Sequence, residues 1–339
     1  MKSEQVNYNG IDDLRFVATV GVILLHTSAG LLSLYGKVPQ DYWLIGLFYN
    51  ALTRFCVPMF VMISGALLLS KEYKAIDFFR KRFTRILLPF LFYSVIYLVY
   101  NLIIRLLYGH HNSTHDTIHW LIYKIKGGVS YHFWFVYMIL GLYLIIPIIG
   151  HWVRNRSQKQ LIILLILWFS YNLMQLFGLK ITFLFSQTLD YAGYLILGYY
   201  LANKDFENTH WAKTVGIILF SSGYLVNVVV LASHSKNNQL YSNFSPTIVA
   251  MAIGAYLFIK NANLENQFWI KIRTIVCQYS FGIYLIHILI LKWLSIAHTH
   301  WNFAHPAIAI PITTILTLIL STLFVLGVFK LPFGKYISG

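Results

Sequence analysis

Arg15 and His26 stand eleven residues apart in the first apolar stretch of the chain, and the ten residues between them, FVATVGVILL, carry no charge. Eleven helical steps of about 100° come within roughly 20° of three full turns, so both side chains share one face. The same steps rise about 16 Å, which sets His26 near the middle of a hydrocarbon layer about 30 Å thick if Arg15 sits at its edge. Ionisable groups at that depth are costly, and their presence reads as function. Imidazole exchanges a proton near neutral pH and so suits a general base. Guanidinium offers a fork of donors matched to phosphate oxygens. The pair predicts a buried base above an interfacial cation.

A second constellation is basic. The segment from Lys71 to Arg85 holds Arg80, Lys81, Arg82 and Arg85, and the i, i+3 spacing of Arg82 and Arg85 lets both forks face one anion at the membrane surface. Anchoring of a cytoplasmic loop is the plainer explanation; the density of charge exceeds what anchoring requires. Further candidates are scattered. The run RFCVPMFVMISGALLLS contains Arg54, a Pro58 expected to kink its helix, and a Ser64-Gly65 pair that suits close helix packing. His132, beside Trp134, and His287 fall towards the outer ends of their stretches, either lining a substrate entrance or bonded to a neighbouring helix. Asp190 is either a working acid or a carboxylate at a helix start. His111, His115 and His119 have i, i+4, i+8 spacing, but they lie in a polar loop outside the apolar stretches, and no metal is expected there.

The elements that must position these residues follow from composition. Of 339 residues 58% are hydrophobic and 11% charged, against about 25% charged in a soluble domain. Apolar windows lie at roughly 14–34, 46–69, 86–108, 132–150, 160–178, 187–202, 213–233, 246–260, 272–293 and 307–329. The expected fold is an all-α polytopic bundle of about ten spans. The windows leave no gap for a soluble module, so residues 1–339 read as a single membrane domain with none appended. With the N-terminus inside, 18 of the 26 Lys and Arg fall on the inner side and 8 on the outer, which favours cytoplasmic termini. The net charge of +15 is then mostly anchoring, and nucleic acid is not an expected partner. Cys56 and Cys277 both fall within spans and read as inert packing.

The motifs IDDLRFVATVGVILLH, VPMFVMISGALLLS, KRFTRILLPF, YHFWFVYMILGLYLIIPI, YAGYLILGYYLA and YSFGIYLIH, in that order, resemble the successive signatures of the integral-membrane acyltransferase family 3. The resemblance covers nearly the whole chain, most specifically at Arg15 with His26 and at Arg82 with Arg85. It implies about ten spans and transfer of an acyl group, most simply acetyl, from cytoplasmic acetyl-CoA to a hydroxyl of a surface glycan or its lipid-linked precursor, in a bacterial-type plasma membrane. It also implies that His26 is the essential membrane histidine, Arg15 its functional partner, and Arg82 with Arg85, and Arg80 beside them, part of the acyl-CoA site. Arg54, Ser64, His132, Trp134, Asp190 and His287 remain candidates for substrate binding. Many relatives carry an extracytoplasmic esterase-like domain, which this sequence lacks, so the resemblance is to single-domain members. A small-solute transporter and a polysaccharide-export subunit without chemistry are the alternatives, because intramembrane Arg and His also mark substrate pathways.

Overall fold

The computed structural model describes residues 8–107, 114–178, 186–204, 206, 208–233, 242–262 and 266–339. Within them the chain runs as α1 (Tyr8–Leu32), α2 (Gln40–Leu52), α3 (Cys56–Leu68), α4 (Ala75–Leu107), α5 (Thr114–Gly127), a 3₁₀ turn (Tyr131–Phe133), α6 (Trp134–Arg154), α7 (Gln158–Leu176), α8 (Ser186–Asn203), α9 (Thr209–Ala232), α10 (Pro246–Lys260), α11 (Gln267–Gln278), α12 (Ser280–Ile296), α13 (Pro306–Phe329) and α14 (Gly334–Ile337). No strand occurs among the described residues. This is the solution a bilayer imposes, since a helix satisfies its backbone polar groups within itself.

Seven helical stretches are long and apolar enough to cross a membrane: α1, α2 with α3, α4, α6, α7, α9 and α13. An eighth is the pair α11 and α12, bent by 79°. The other two hydrophobic windows are the 18-residue α8 and the 15-residue α10. Both bury much of their surface against neighbours, and neither counts as a span by length and apolarity, so seven to eight candidate spans stand among the described residues where about ten were expected. The chain is therefore a multi-pass helical membrane protein.

Close packing is carried by glycine, as expected where helices associate without a hydrophobic drive between them. A Cβ on Gly65 would strike the Leu195 carbonyl and one on Gly198 the Met62 carbonyl, which locks α3 to α8. Gly216 and Gly254 meet backbone to backbone between α9 and α10 in the same way. Several hydroxyls within the helices are satisfied by their own backbone: Thr19 donates to the Arg15 carbonyl at 2.8 Å and Thr27 to Ile23 at 2.9 Å.

Three expectations about elements are corrected. The basic segment is not a loop up to Arg85, because α4 already begins at Ala75 and runs 33 residues, about 50 Å. That exceeds the hydrocarbon thickness, so its first turns, with Arg80 to Arg85, project past the apolar layer. Pro58 does not kink a helix. The break lies earlier, at Thr53–Phe55, and Pro58 falls in the first turn of α3, where a missing N–H costs nothing. The window 272–293 is not one straight span, since Tyr279 separates α11 from α12. A further helix escaped the hydropathy windows: α5 carries His115 and His119, whose Nε2 atoms lie 3.1 Å apart, while His111 lies outside the described residues.

Arg273 and Arg154 do more than anchor. Arg273 Nη1 lies 2.9 Å from Asp13 Oδ1, both side chains almost wholly buried. Trp269 Nε1 donates to the same oxygen at 2.9 Å, so α11 is pinned across the start of α1. Arg154 Nη1 donates to the carbonyls of Leu69 and Lys71 at 2.9 and 2.7 Å, taking up acceptors that the end of α3 leaves open.

Candidate active site

Helix α1 packs against α2, α3, α10, α11, α12 and α13, and its Arg15–His26 face looks onto two distinct environments. At the Arg15 end is a cavity of about 440 Å³. Arg15, Arg82, Arg85 and Lys71 supply its charge, Ser64 and Tyr143 its hydroxyls, and Phe60, Ile63, Phe135 and Ile139 an apolar end. The bend at Tyr279 opens it, because Gln278, Ser280 and Phe281 at that break form one wall. Irregular backbone at such depth is tolerated where it lines a polar cavity. Arg82, Arg85 and Arg15 all lie within electrostatic reach of Tyr143. Arg15 is not isolated: its Nη1 is 3.2 Å from Asp12 Oδ1, and Asp12 lines the cavity too.

A second cavity of about 630 Å³ adjoins the first through Arg85, Gln278 and Gly339, and it adds Arg80, Lys81, Thr84 and Lys335. Arg80 therefore belongs to a neighbouring chamber, not to the one that holds Arg15. Together the two present the cations and hydroxyls that would suit a large polyphosphorylated ligand.

At the other end of the face, three histidines converge. The His26 ring centroid lies 5.2 Å from His287 and 6.5 Å from His132, and His132 and His287 are 5.2 Å apart. His132 is 1% exposed and His287 fully buried, whereas His26 is half-buried. Their hydrogen bonds divide the roles. His132 Nε2 lies 3.3 Å from the Leu285 carbonyl and its Nδ1 2.9 Å from the Ser130 hydroxyl. A carbonyl only accepts, so Nε2 carries the hydrogen and Nδ1 accepts from Ser130, which occupies both nitrogens. His287 Nδ1 donates to the Tyr284 carbonyl at 2.6 Å, which leaves the Nε2 lone pair buried and without a partner in the structure. His26 Nδ1 lies 3.2 Å from the Tyr131 hydroxyl.

The backbone around these rings is held firmly. Tyr97 of α4 donates to the Leu285 carbonyl at 3.1 Å and accepts from the Leu289 N–H at 3.0 Å, clamping the turn of α12 that carries His287. Tyr284 donates to the His132 carbonyl and packs on Phe135, so one aromatic wall joins the apolar end of the first cavity to the histidines. Along α12 the order is Ser280 at the cavity and His287 at the cluster, a rise of about 10 Å.

A family model described as an acyltransferase domain, that of acyltransferase family 3, matches residues 8–326. The chain belongs to this family. No curated protein and no solved structure matches it. The described portion of this acyltransferase thus unites Arg15, Arg82, Arg85 and Ser64 in one chamber, and His26, His132 and His287 in one cluster about three helical turns away.

Other sequence candidates are placed differently. Arg54 stands in the break between α2 and α3, with its charge in reach of His26 and Tyr191. Trp134 is partly exposed, and its ring lies tilted against Tyr191 with centroids 6.1 Å apart. Asp190 lies a full turn inside α8 and so is no first-turn carboxylate. It is buried, bonds Gln175, leaves Oδ1 without a partner, and accepts Trp168 Nε1 on its backbone carbonyl at 2.8 Å. Among the described residues no three His, Cys, Asp or Glu side chains are grouped to hold a metal. Sequence reasoning did not single out Tyr131, Tyr143, Asp12 and Asp13. The acidic pair in IDDLR was a signal, being two adjacent acids at the edge of the first span; Tyr131 and Tyr143 were hidden among 24 tyrosines.

Proposed function

We propose that this acyltransferase moves an acetyl group from cytoplasmic acetyl-CoA to a hydroxyl of a cell-surface glycan or its lipid-linked precursor, with His26 as general base. One observation carries the reading: His26 stands between an arginine-lined chamber that suits CoA phosphates and the far side of the bundle, on the same helix face as Arg15. The phosphates rest on Arg82, Arg85 and Arg15, with Asp12 holding Arg15 in place and Arg80 extending the cationic surface. The pantetheine arm follows the apolar end past Phe135 and brings the thioester towards His26. In the base-competent tautomer His26 Nδ1–H donates to the Tyr131 oxygen and Nε2 is free. Nε2 takes the acceptor hydroxyl's proton as its oxygen attacks the thioester carbonyl carbon. The tetrahedral intermediate collapses, the carbon–sulfur bond breaks, and the CoA thiolate recovers the proton from the imidazolium. His287, whose Nε2 lone pair is unspent, steadies that imidazolium, and Arg54 with Ser64 borders the reactants.

Arg82→Ala or Arg85→Ala should each weaken acetyl-CoA binding by about 1–3 kcal/mol, the value of a charge-assisted contact. Lysine should restore it only in part, lacking the fork. Equilibrium binding to the solubilised protein checks this, and unchanged affinity in a folded double variant would return both residues to anchoring.

The reading requires both termini in the cytoplasm of a plasma-membrane protein, as the charge asymmetry supports. Cys56 and Cys277 are buried, so a cysteine placed at His115 reports with little background. It should react with an impermeant thiol reagent in intact cells. Reaction only after the inner face is opened would invert the topology and the donor site with it.

A further inference from the structure

A third cavity, of about 330 Å³, lies on the histidine side and is polar. It is lined by Asn101, Lys124, Ser130, Tyr131 and Lys292, with Tyr123 at its exposed edge. Tyr131 belongs to both this cleft and the cluster, since its hydroxyl is the one 3.2 Å from His26. Lys292 lies five residues beyond His287 on α12, about 7.5 Å along the axis. Its charge reaches His132 and Lys124.

The two lysines are the informative feature. Both are half-buried. Their charges repel, and the ion pairs among the described residues, Arg15 with Asp12 and Arg273 with Asp13, involve neither of them. Lys292 rests only over the Tyr100 ring, 5.1 Å from its centroid. Two like charges held together in a partly desolvated cleft cost free energy that a bound anion would offset. They also lie on the side where Lys and Arg are scarce, so anchoring gives no reason to keep them. An ammonium, unlike a guanidinium fork, accepts anions of varied shape.

We propose that this cleft recognises an anionic group of the acceptor, a carboxylate or phosphate on the sugar, seated between Lys124 and Lys292 so that a neighbouring hydroxyl reaches His26 past Tyr131. The inference rests on the acyl-transfer reading for the role of the site, but the binding itself does not.

The test is calorimetric titration of the full-length solubilised protein, with CoA present in excess to fill the arginine chambers, against methyl glucuronide, glucose 1-phosphate and methyl glucoside. At least one anionic sugar should bind tenfold or more tightly than the neutral one at low salt, and the preference should shrink as salt screens it. Which anion wins separates carboxylate from phosphate recognition. The Lys124→Gln, Lys292→Gln double variant should lose the preference without a lower melting temperature, and Lys292→Arg, which keeps the charge, should retain most of it should the double variant fold poorly. Equal binding of all three sugars, no binding of the anions, or a preference that survives the double variant overturns the proposal. Failure of the acyl-transfer reading has a separate signature, namely no CoA release by the wild type with any acceptor.

Discussion

His26→Ala should lower acyl transfer by about 10²–10⁴, the usual value of a positioned general base, while leaving the protein inserted and folded. The side chain is half-buried and its ring touches Tyr131, His132 and His287 without bearing on any backbone hydrogen bond in the structure. Removing it therefore takes away a proton acceptor more than a packing element. The measurement is transfer in reconstituted vesicles, with acetyl-CoA on one side only and protein amounts matched. Arg15→Ala should raise the KM for acetyl-CoA more than that for the acceptor, because Arg15 lies in the arginine chamber and His26 does not. His132→Ala should behave differently again, costing stability, since its Nε2 ties the entry turn of α6 to the Leu285 carbonyl of α12 and its Nδ1 fastens Ser130 within that turn. Near-normal turnover in the folded His26→Ala protein would sink the mechanism and move the transporter alternative ahead.

Asp13→Ala should cost about 3–5 kcal/mol of stability, the penalty for removing one partner of a buried ion pair. Asp13 Oδ1 receives both Arg273 and Trp269, so the substitution strips a buried guanidinium of its carboxylate and frees α11 from α1. Donor binding should weaken as well, because α11 leads into Gln278 at the bend that walls the arginine chamber. Thermal melting in detergent reads the first effect and acetyl-CoA affinity the second. A double change, Asp13→Leu with Arg273→Leu, should be milder than Asp13→Ala, since apolar pairs often replace buried ion pairs without loss. Unchanged melting of Asp13→Ala would mean that the pair is not formed in the folded protein.

Helix register made Arg15 and His26 legible as neighbours on one face, for the period is a property of the backbone and needs no partner. Arg82 and Arg85 followed by the same logic, and both line one cavity. Every hydrophobic window became helical, two of them as broken pairs, α2 with α3 and α11 with α12, because lipid permits little else. The window 246–260 matches α10 residue for residue. What the sequence could not show depends on residues far apart in the chain. Asp13 meets Arg273 across 260 positions and His26 meets Tyr131 across 105. Periodicity is silent about such pairs, because it reports which way a side chain points and not what lies opposite. The break at Tyr279 was likewise invisible, since no proline marks it, and only the packed structure shows α11 bent by 79° from α12 and bonded to Asp13. His132 and His287 looked like interfacial residues by position in their windows, yet they are buried. Only the packing of the entry turn of α6 against α12 brings them to His26, and with them the lysines whose charges no local pattern could join.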